Sequence, residues 1–327
     1  MISEAGFRHV YGPVSSRRLG RSLGIDLVPF KTCTYDCVYC QLGRTTNKTI
    51  ERQEYVSVDE VLDELERKLA GEPVAEYVTL AGSGEPTLNA RIGDLLGKIK
   101  SLTPTPVAVL TNGSLLWMRE VREALMGADL VLPSLDAGDE RSFQYVNRPH
   151  GGITFEQMFA GLAQFTEHFP GSVWLEVFLL TGVTGIRSEV EKIAALTRRI
   201  GPERVQLNTV SRPPAEQFAF AVSKDQMERF RECFDGVVDV ITESEAGESC
   251  ASSASETTDA DILALLSRRP CTLRDFSLAT RLHPTEAAKR LDALCQAAKV
   301  TQVFRDGQRF YLAATLQPCR AEGENTK

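Results

Sequence analysis

The chain has 327 residues and a net charge of −7, with 43% hydrophobic and 25% charged residues, a composition that gives room for one large globular domain and one small one. No apolar run approaches the ~20 residues of a membrane span, and the N-terminus M-I-S-E-A-G-F-R-H-V lacks the apolar centre of a secretion signal, so a cytoplasmic protein is expected. The acidic balance argues against nonspecific nucleic-acid binding by the whole surface, and in such a chain cysteines are expected as thiols and ligands rather than disulfides.

In chain order, residues 11–21 come first, Y-G-P-V-S-S-R-R-L-G-R, placing Arg17, Arg18 and Arg21 among small residues. Arginine forks at such a position suit a phosphate or carboxylate of a substrate, or else a solvated basic turn paired with the acidic body. Near-continuous apolar runs then recur at Leu23–Pro29, Tyr77–Ala81, Val107–Thr111, Leu130–Ser134, Val173–Leu180 and Val205–Val210, as for parallel strands buried on both faces. Val237–Ile241 adds an edge strand. Helices between them announce their starts with capping-box patterns at Ser57, Thr154, Ser188 and Ser223, and the apolar stripes that follow are core packing. Strand–helix alternation from about residue 20 to 242 predicts a parallel α/β domain spanning residues 1–242, with too few repeats for a closed eightfold barrel.

Residues 243–257 are small, polar and acidic, and read as a linker. Residues 258–315 then give three short helices, the second capped at Thr272 and the third opened by Pro284, followed by two strands flanking Asp306-Gly307. That is the order of a winged helix, expected as a separable C-terminal domain with a tail at 316–327. Its nine Lys and Arg against six Asp and Glu give +3 and leave about −10 on the remainder. The asymmetry suits nucleic acid at the small domain, and a protein-docking module remains the alternative because fold alone does not settle function.

The chemistry-bearing residues fall at the ends of the strands. Cys33, Cys37 and Cys40 spell C-x3-C-x2-C within eight residues. A loop that tight can wrap one small cluster, giving three thiolates to a cubane of four irons and leaving one iron open. A zinc knuckle would need a fourth ligand, yet there is no second C-x-x-C and the four histidines are unpaired. The scattered Cys233, Cys250, Cys271, Cys295 and Cys319 read as packing or surface thiols. Gly82-Ser83-Gly84-Glu85-Pro86 follows the second strand and Asn112 the third; Ser134 and Asp136 follow the fourth, and Asn208 ends the sixth. Polar residues at five of the six strand ends describe one mouth, where barrel-like α/β folds place their chemistry. Strand-end capping is the competing reading, above all for Ser134. Arg148 and Arg212 are the weakest members of the set.

The C-x3-C-x2-C spacing with Tyr39 before the last cysteine resembles the radical S-adenosylmethionine (SAM) superfamily. The resemblance implies a partial (β/α)6 TIM-like barrel and one [4Fe–4S] cluster on Cys33, Cys37 and Cys40. SAM would bind at the open iron and yield a 5′-deoxyadenosyl radical, with electrons from a flavodoxin- or ferredoxin-like donor. It assigns SAM contacts to Tyr39, to Gly82, Ser83, Gly84 and Glu85 as a variant of the family's GGE motif, and to Asn112, Ser134, Asp136 and Asn208. Y-G-P-V-S-S-R-R-L-G-R-S-L-G-I-D-L with C-T-Y-D-C-V-Y-C-Q-L-G and A-G-S-G-E-P-T-L is similar to the subgroup of wyosine-type tRNA synthases, over roughly residues 8–242. Those enzymes carry a second cluster on three further cysteines, and here no Cys precedes Cys33. The resemblance therefore carries the chemistry, with tRNA or another nucleic acid as one substrate class. A peptide, protein or small-molecule substrate is a second, and an iron–sulfur DNA-binding regulator without turnover is a third reading.

Overall fold

The computed structural model describes residues 7–70, 75–241, 258–280, 282–305 and 307–314. The expected linker at 243–257, the tail at 316–327 and Asp306 of the hairpin turn lie outside the described residues. Two strands open the chain, β1 (Val10–Ser16) and β2 (Gly20–Ile25); β3 (Thr32–Cys33) and β4 (Asn47–Lys48) form a two-residue parallel pair. Alternation then begins: α1 (Val58–Ala70), β5 (Tyr77–Leu80), α2 (Ile92–Leu102), β6 (Val107–Leu110), α3 (Arg119–Leu125), β7 (Leu130–Leu132), α4 (Glu140–Val146), α5 (Phe155–His168) and β8 (Ser172–Leu179). It continues through α6 (Arg187–Ile200), β9 (Arg204–Thr209), α7 (Lys224–Arg231) and β10 (Val237–Val240).

These strands make one eight-stranded sheet in the order β1-β2-β5-β6-β7-β8-β9-β10. All neighbours from β2 to β10 are parallel, and only β1 runs antiparallel, against β2. The fold is thus the α/β partial barrel expected, six parallel strands with β10 added at the far edge. The pattern is dictated by burial: Val78, Val107, Val109, Val131, Leu175 and Leu207 are all fully or nearly fully buried, since helices cover strands that would otherwise show alternation.

Two local expectations change. Strand β1 was not foreseen: on the edge of a sheet a proline's missing donor costs no ladder bond, and β1 carries a register irregularity between Tyr11 and Val14 that absorbs the interruption at Gly12-Pro13. Ser188 does not cap α6. The helix begins at Arg187 with Ile186 as the preceding extended residue, so Ser188 lies inside the first turn. Thr154 and Ser223 do cap α5 and α7 through the backbone of Gln157 and Gln226.

The C-terminal residues form α8 (Asp259–Leu266), α9 (Leu273–Thr280), α10 (Pro284–Gln296) and an antiparallel hairpin of β11 (Val300–Arg305) and β12 (Gln308–Ala313). Ile262, Leu266, Phe276, Leu291 and Tyr311 close a core of their own, and Val14 of β1 packs against it. The unit also reaches the loop after β9, where the Arg305 guanidinium donates to the Ala219 carbonyl at 2.9 Å. It therefore touches the sheet at β1 and the segment beyond β9. Among the described residues, no helix is long and apolar enough to cross a membrane.

Candidate active site at the strand ends

The cysteine loop is fixed by main-chain bonds. Val38 N–H donates to the Val146 carbonyl at 2.9 Å and Asp36 N–H to that of Asn147 at 3.0 Å, which clamps the loop on the end of α4. Each of the three sulfurs receives a side-chain N–H donor: Cys33 from Asn112 Nδ2 at 3.6 Å, Cys37 from Asn147 Nδ2 at 3.6 Å, and Cys40 from Lys31 Nζ at 3.2 Å. All three cysteines are free thiols. Burial pushes the Cys33 thiol up to about 12 and the Cys37 thiol well above its usual range, because a thiolate without a cation loses its hydration there. Lys31, 3% exposed, meets the opposite balance. Burial works against its charge, but the neighbouring sulfurs of Cys40, Cys33 and Cys37 more than offset this and raise it. Among the described residues, no three His, Cys, Asp or Glu side chains are grouped as they would be around one metal ion.

The Gly82–Pro86 turn lies directly on this loop. Lys31 N–H donates to the Ser83 carbonyl at 2.8 Å, and Glu85 N–H to that of Thr32 at 3.1 Å. A Cβ on Gly84 would stand 1.8 Å from the Thr32 carbonyl oxygen, so only glycine fits; Gly82 has φ +144° and faces the Asp26 carboxylate. Asp26, 6% exposed, accepts from both the backbone N–H (3.1 Å) and the hydroxyl of Ser83. Glu85, 2% exposed, is satisfied by the protein. Its Oε1 accepts from Thr87 N (3.0 Å), Thr87 Oγ1 (2.6 Å) and Thr111 Oγ1 (2.6 Å), and its Oε2 from Asn112 N at 2.7 Å. It thus ties the turn after β5 to the end of β6.

The remaining site residues meet around two acids. Asp136 accepts from the Tyr39 hydroxyl, from Asn147 Nδ2 at 2.8 Å and from Phe178 N at 3.1 Å. The Tyr39 ring stacks on Phe178 with centroids 3.9 Å apart. Glu176, in the middle of β8, takes Asn208 Nδ2 at 2.7 Å, Ser134 Oγ at 3.5 Å and the Arg18 guanidinium at 2.8 Å. Arg18 comes from the β1–β2 turn, whose Leu19 packs against Ala108, Leu130 and Leu132. Arg17 precedes it in the same turn, whereas Arg21 sits within β2, its main-chain N–H bonded to Glu76 at 2.9 Å. Arg148 pairs with Glu216 at 2.6 Å, and Arg212 donates to Gln41, the residue after Cys40, at 3.3 Å.

Sequence reasoning missed Asp26, Lys31, Asn147 and Glu176. Two of these had a signal: Asp26 and Glu176 are single acids inside apolar strand runs, L-G-I-D-L-V and V-W-L-E-V-F-L, where an unpaired carboxylate is not tolerated. Asn147, beyond a strand-to-helix connection, had none.

An open parallel sheet with helices between its strands, carrying a three-thiol loop beside a glycine turn, belongs to the class of partial α/β barrels that work at their strand ends. Residues 27–197 match the Radical SAM superfamily, and the chain belongs to that superfamily. A UPF0026 protein of Methanocaldococcus jannaschii is 31% identical over 311 residues, 92% of this chain and 95% of that one. A GTPase Obg of Brachyspira hyodysenteriae is 37% identical over 305 residues, covering 93% of this chain, and the chain spans only 45% of that protein's length. Among solved structures, a radical SAM methyltransferase from Sphaerobacter thermophilus superposes with a TM-score of 0.53 at 17% identity, covering 67% of this chain and 65% of that one. At this identity the likeness speaks for the fold alone.

Proposed function

We propose that the protein is a radical SAM enzyme whose Cys33, Cys37 and Cys40 hold a [4Fe–4S] cluster and whose substrate is a nucleic acid, with tRNA the first to test. The observation that carries the chemistry is the thiol set: three free cysteines on one loop, each facing its own N–H donor. The donor set fits the cluster. Buried thiols pushed upward need a cationic partner to ionise, Lys31 supplies one charge, and iron would supply the rest. Cubane ligands bind separate irons, so they need not converge on one point as the ligands of a lone metal ion do. When bound, the cluster supplies the electron that cleaves SAM to methionine and a 5′-deoxyadenosyl radical.

The chain's own part is to hold and shield. The Gly82–Pro86 turn, braced by Asp26 and Glu85, offers main-chain groups beside the cysteine loop for the methionyl end of SAM. Asn112 and Asp136 are placed to keep the loop and its neighbours in one arrangement. The nucleic-acid reading is supported by residues 258–315, whose helix–helix–helix–hairpin order is that of a winged helix, carrying a net +3 on an acidic chain. The similarity of residues 8–242 to wyosine-type tRNA synthases points the same way.

The test is anaerobic reconstitution with iron and sulfide, addition of SAM and dithionite, and assay for 5′-deoxyadenosine, with Cys37→Ala as control. Formation by the native chain alone supports the reading. A cluster that forms without SAM cleavage sinks it in favour of a sensor.

A further inference from the structure

Lys31 stands where a lysine is unfavourable on two counts. It is 3% exposed, and burying an ammonium is costly unless a negative group shares the space. Its backbone has φ +58°, in the left-handed region that glycine enters freely and other residues do not. Such a conformation persists where the surroundings hold it, and here they do. The Lys31 N–H donates to the Ser83 carbonyl at 2.8 Å, and its carbonyl accepts from Asn47 N–H at 3.1 Å and Thr46 N–H at 3.3 Å. The glycine turn thus grips one side of the residue and the loop beyond Cys40 the other. A glycine would suit this backbone better; what it would lack is the side chain.

That side chain ends on a sulfur. Its Nζ lies 3.2 Å from Cys40 Sγ, and among the described residues no carboxylate pairs with it. The acids of the mouth are engaged elsewhere: Asp26 with Ser83, Glu85 with Thr87, Thr111 and Asn112, and Asp136 with Tyr39, Asn147 and Phe178. The other two cysteines have a different partner type. Cys33 and Cys37 face the neutral amides of Asn112 and Asn147, at 3.6 Å each. Among these three donors, the full positive charge is at Cys40 alone.

We propose that Lys31 is a fixed cation that raises the reduction potential of the cluster through Cys40, and so sets which one-electron carriers can reduce it. The inference rests on the reading of Cys33, Cys37 and Cys40 as cluster ligands. Three thiolates make the oxidised cluster an anion. One electron from a flavodoxin- or ferredoxin-like carrier oxidises the carrier, reduces the cluster and adds one more negative charge, with no bond made or broken. A charged N–H against a ligand sulfur stabilises the more negative state more than the less negative one, whereas an amide does so without a net charge. Salt and water screen a buried charge least, so the effect of Lys31 is not diluted as that of a surface lysine is. A chain without it requires a more strongly reducing carrier.

The experiment uses the full chain, reconstituted anaerobically with iron and sulfide and without SAM. Reduced cluster is followed by electron paramagnetic resonance through a potentiometric titration of the native chain, Lys31→Met, Lys31→Gln, Lys31→Arg and Lys98→Met, the last an exposed lysine on α2 serving as control. Circular dichroism and iron and sulfide content show which variants are folded and loaded. In Lys31→Met and Lys31→Gln the ratio of reduced to oxidised cluster at a fixed potential should fall at least tenfold, which is a midpoint lowered by about 59 mV or more for one electron. Lys31→Arg keeps the charge and should stay close to the native midpoint, as should Lys98→Met. A native midpoint in either uncharged variant, folded and loaded, overturns the proposal. Loss of the cluster from both uncharged variants overturns it in favour of a role in assembly or packing. The two possible failures are distinct: a native chain that loads no cluster sinks the reading of the cysteine loop itself, and a native cluster whose potential is indifferent to Lys31 sinks this inference alone.

Discussion

Asp136 is a carboxyl that burial and hydrogen bonding pull in opposite directions. Burial raises it from 3.8 to about 6, against donation from the Tyr39 hydroxyl, Asn147 and the Phe178 N–H. The folded chain thus keeps a proton that the unfolded chain releases. The stability this contributes is complete below about pH 4 and is lost as pH rises through about 6, roughly 3 kcal/mol for a shift of about two units. An Asp136→Asn chain has no such proton to lose. Denaturant unfolding of the cluster-free proteins at pH 4 and pH 7 should therefore show the native chain losing about that much more than the variant. A native-minus-variant difference independent of pH would refute the assignment. A second residue-scale prediction concerns Gly84, where any Cβ collides with the Thr32 carbonyl. Gly84→Ala should displace the turn from the cysteine loop and weaken SAM binding at least tenfold, measured by equilibrium dialysis, whereas Gly97→Ala, on an open face of α2, should leave it unchanged.

At the scale of elements, the link between the C-terminal unit and the glycine turn is a single side chain. Arg268, just after α8, donates to the Arg8 carbonyl at 2.6 Å, lies 4.4 Å over the Tyr11 ring and stands 3.6 Å from Asp26. Asp26 in turn holds Ser83. The two side chains are only 12% and 8% exposed, so removing one partner leaves the other buried without its counterpart. Arg268→Met should cost about 3 kcal/mol in unfolding free energy. Adding Asp26→Asn should return part of it, and strictly additive losses in the double variant would show that the pair is not coupled. This link also marks where reading the sequence stops. The parallel strands were legible because strands buried on both faces must be apolar throughout. The cysteine loop and the glycine turn were legible because their spacing is local. Arg268 and Asp26 are 242 positions apart in number, and nothing in either neighbourhood names the other. Glu176 was hidden for a related reason, since its three partners come from the end of β7, from β9 and from the β1–β2 turn. Residues 258–315 look like a detachable module in the sequence, yet Val14 and Asp26 both lean on them.

On the scale of the whole molecule the argument is about charge. The C-terminal unit is basic on a chain that is otherwise acidic, and several of its cations face solvent: Arg274, Lys289, Lys299 and Arg309 are exposed. Arg309 lies 5.1 Å over the ring of Phe304, which is 65% exposed at the hairpin. An exposed aromatic beside an arginine is a surface on which a base can stack, and solvated lysines on the same unit can track phosphates. The acidic remainder would repel the same polyanion, so binding should be confined to this face and should weaken steeply with salt. If tRNA binds here, the logarithm of its association constant falls linearly with the logarithm of salt concentration. Each phosphate contact contributes a slope of about −0.9. Replacing Lys289, Lys299 and Arg309 together by Glu should shallow that slope by roughly three contacts, without altering SAM cleavage in the absence of substrate. These positions lie at the surface, so the fold is not at stake in the change. A slope that stays the same in the triple variant would place tRNA elsewhere. Binding that is insensitive to salt altogether would leave the hairpin face as a surface for docking a protein, because only the release of counterions from a polyanion makes affinity depend on salt in this way.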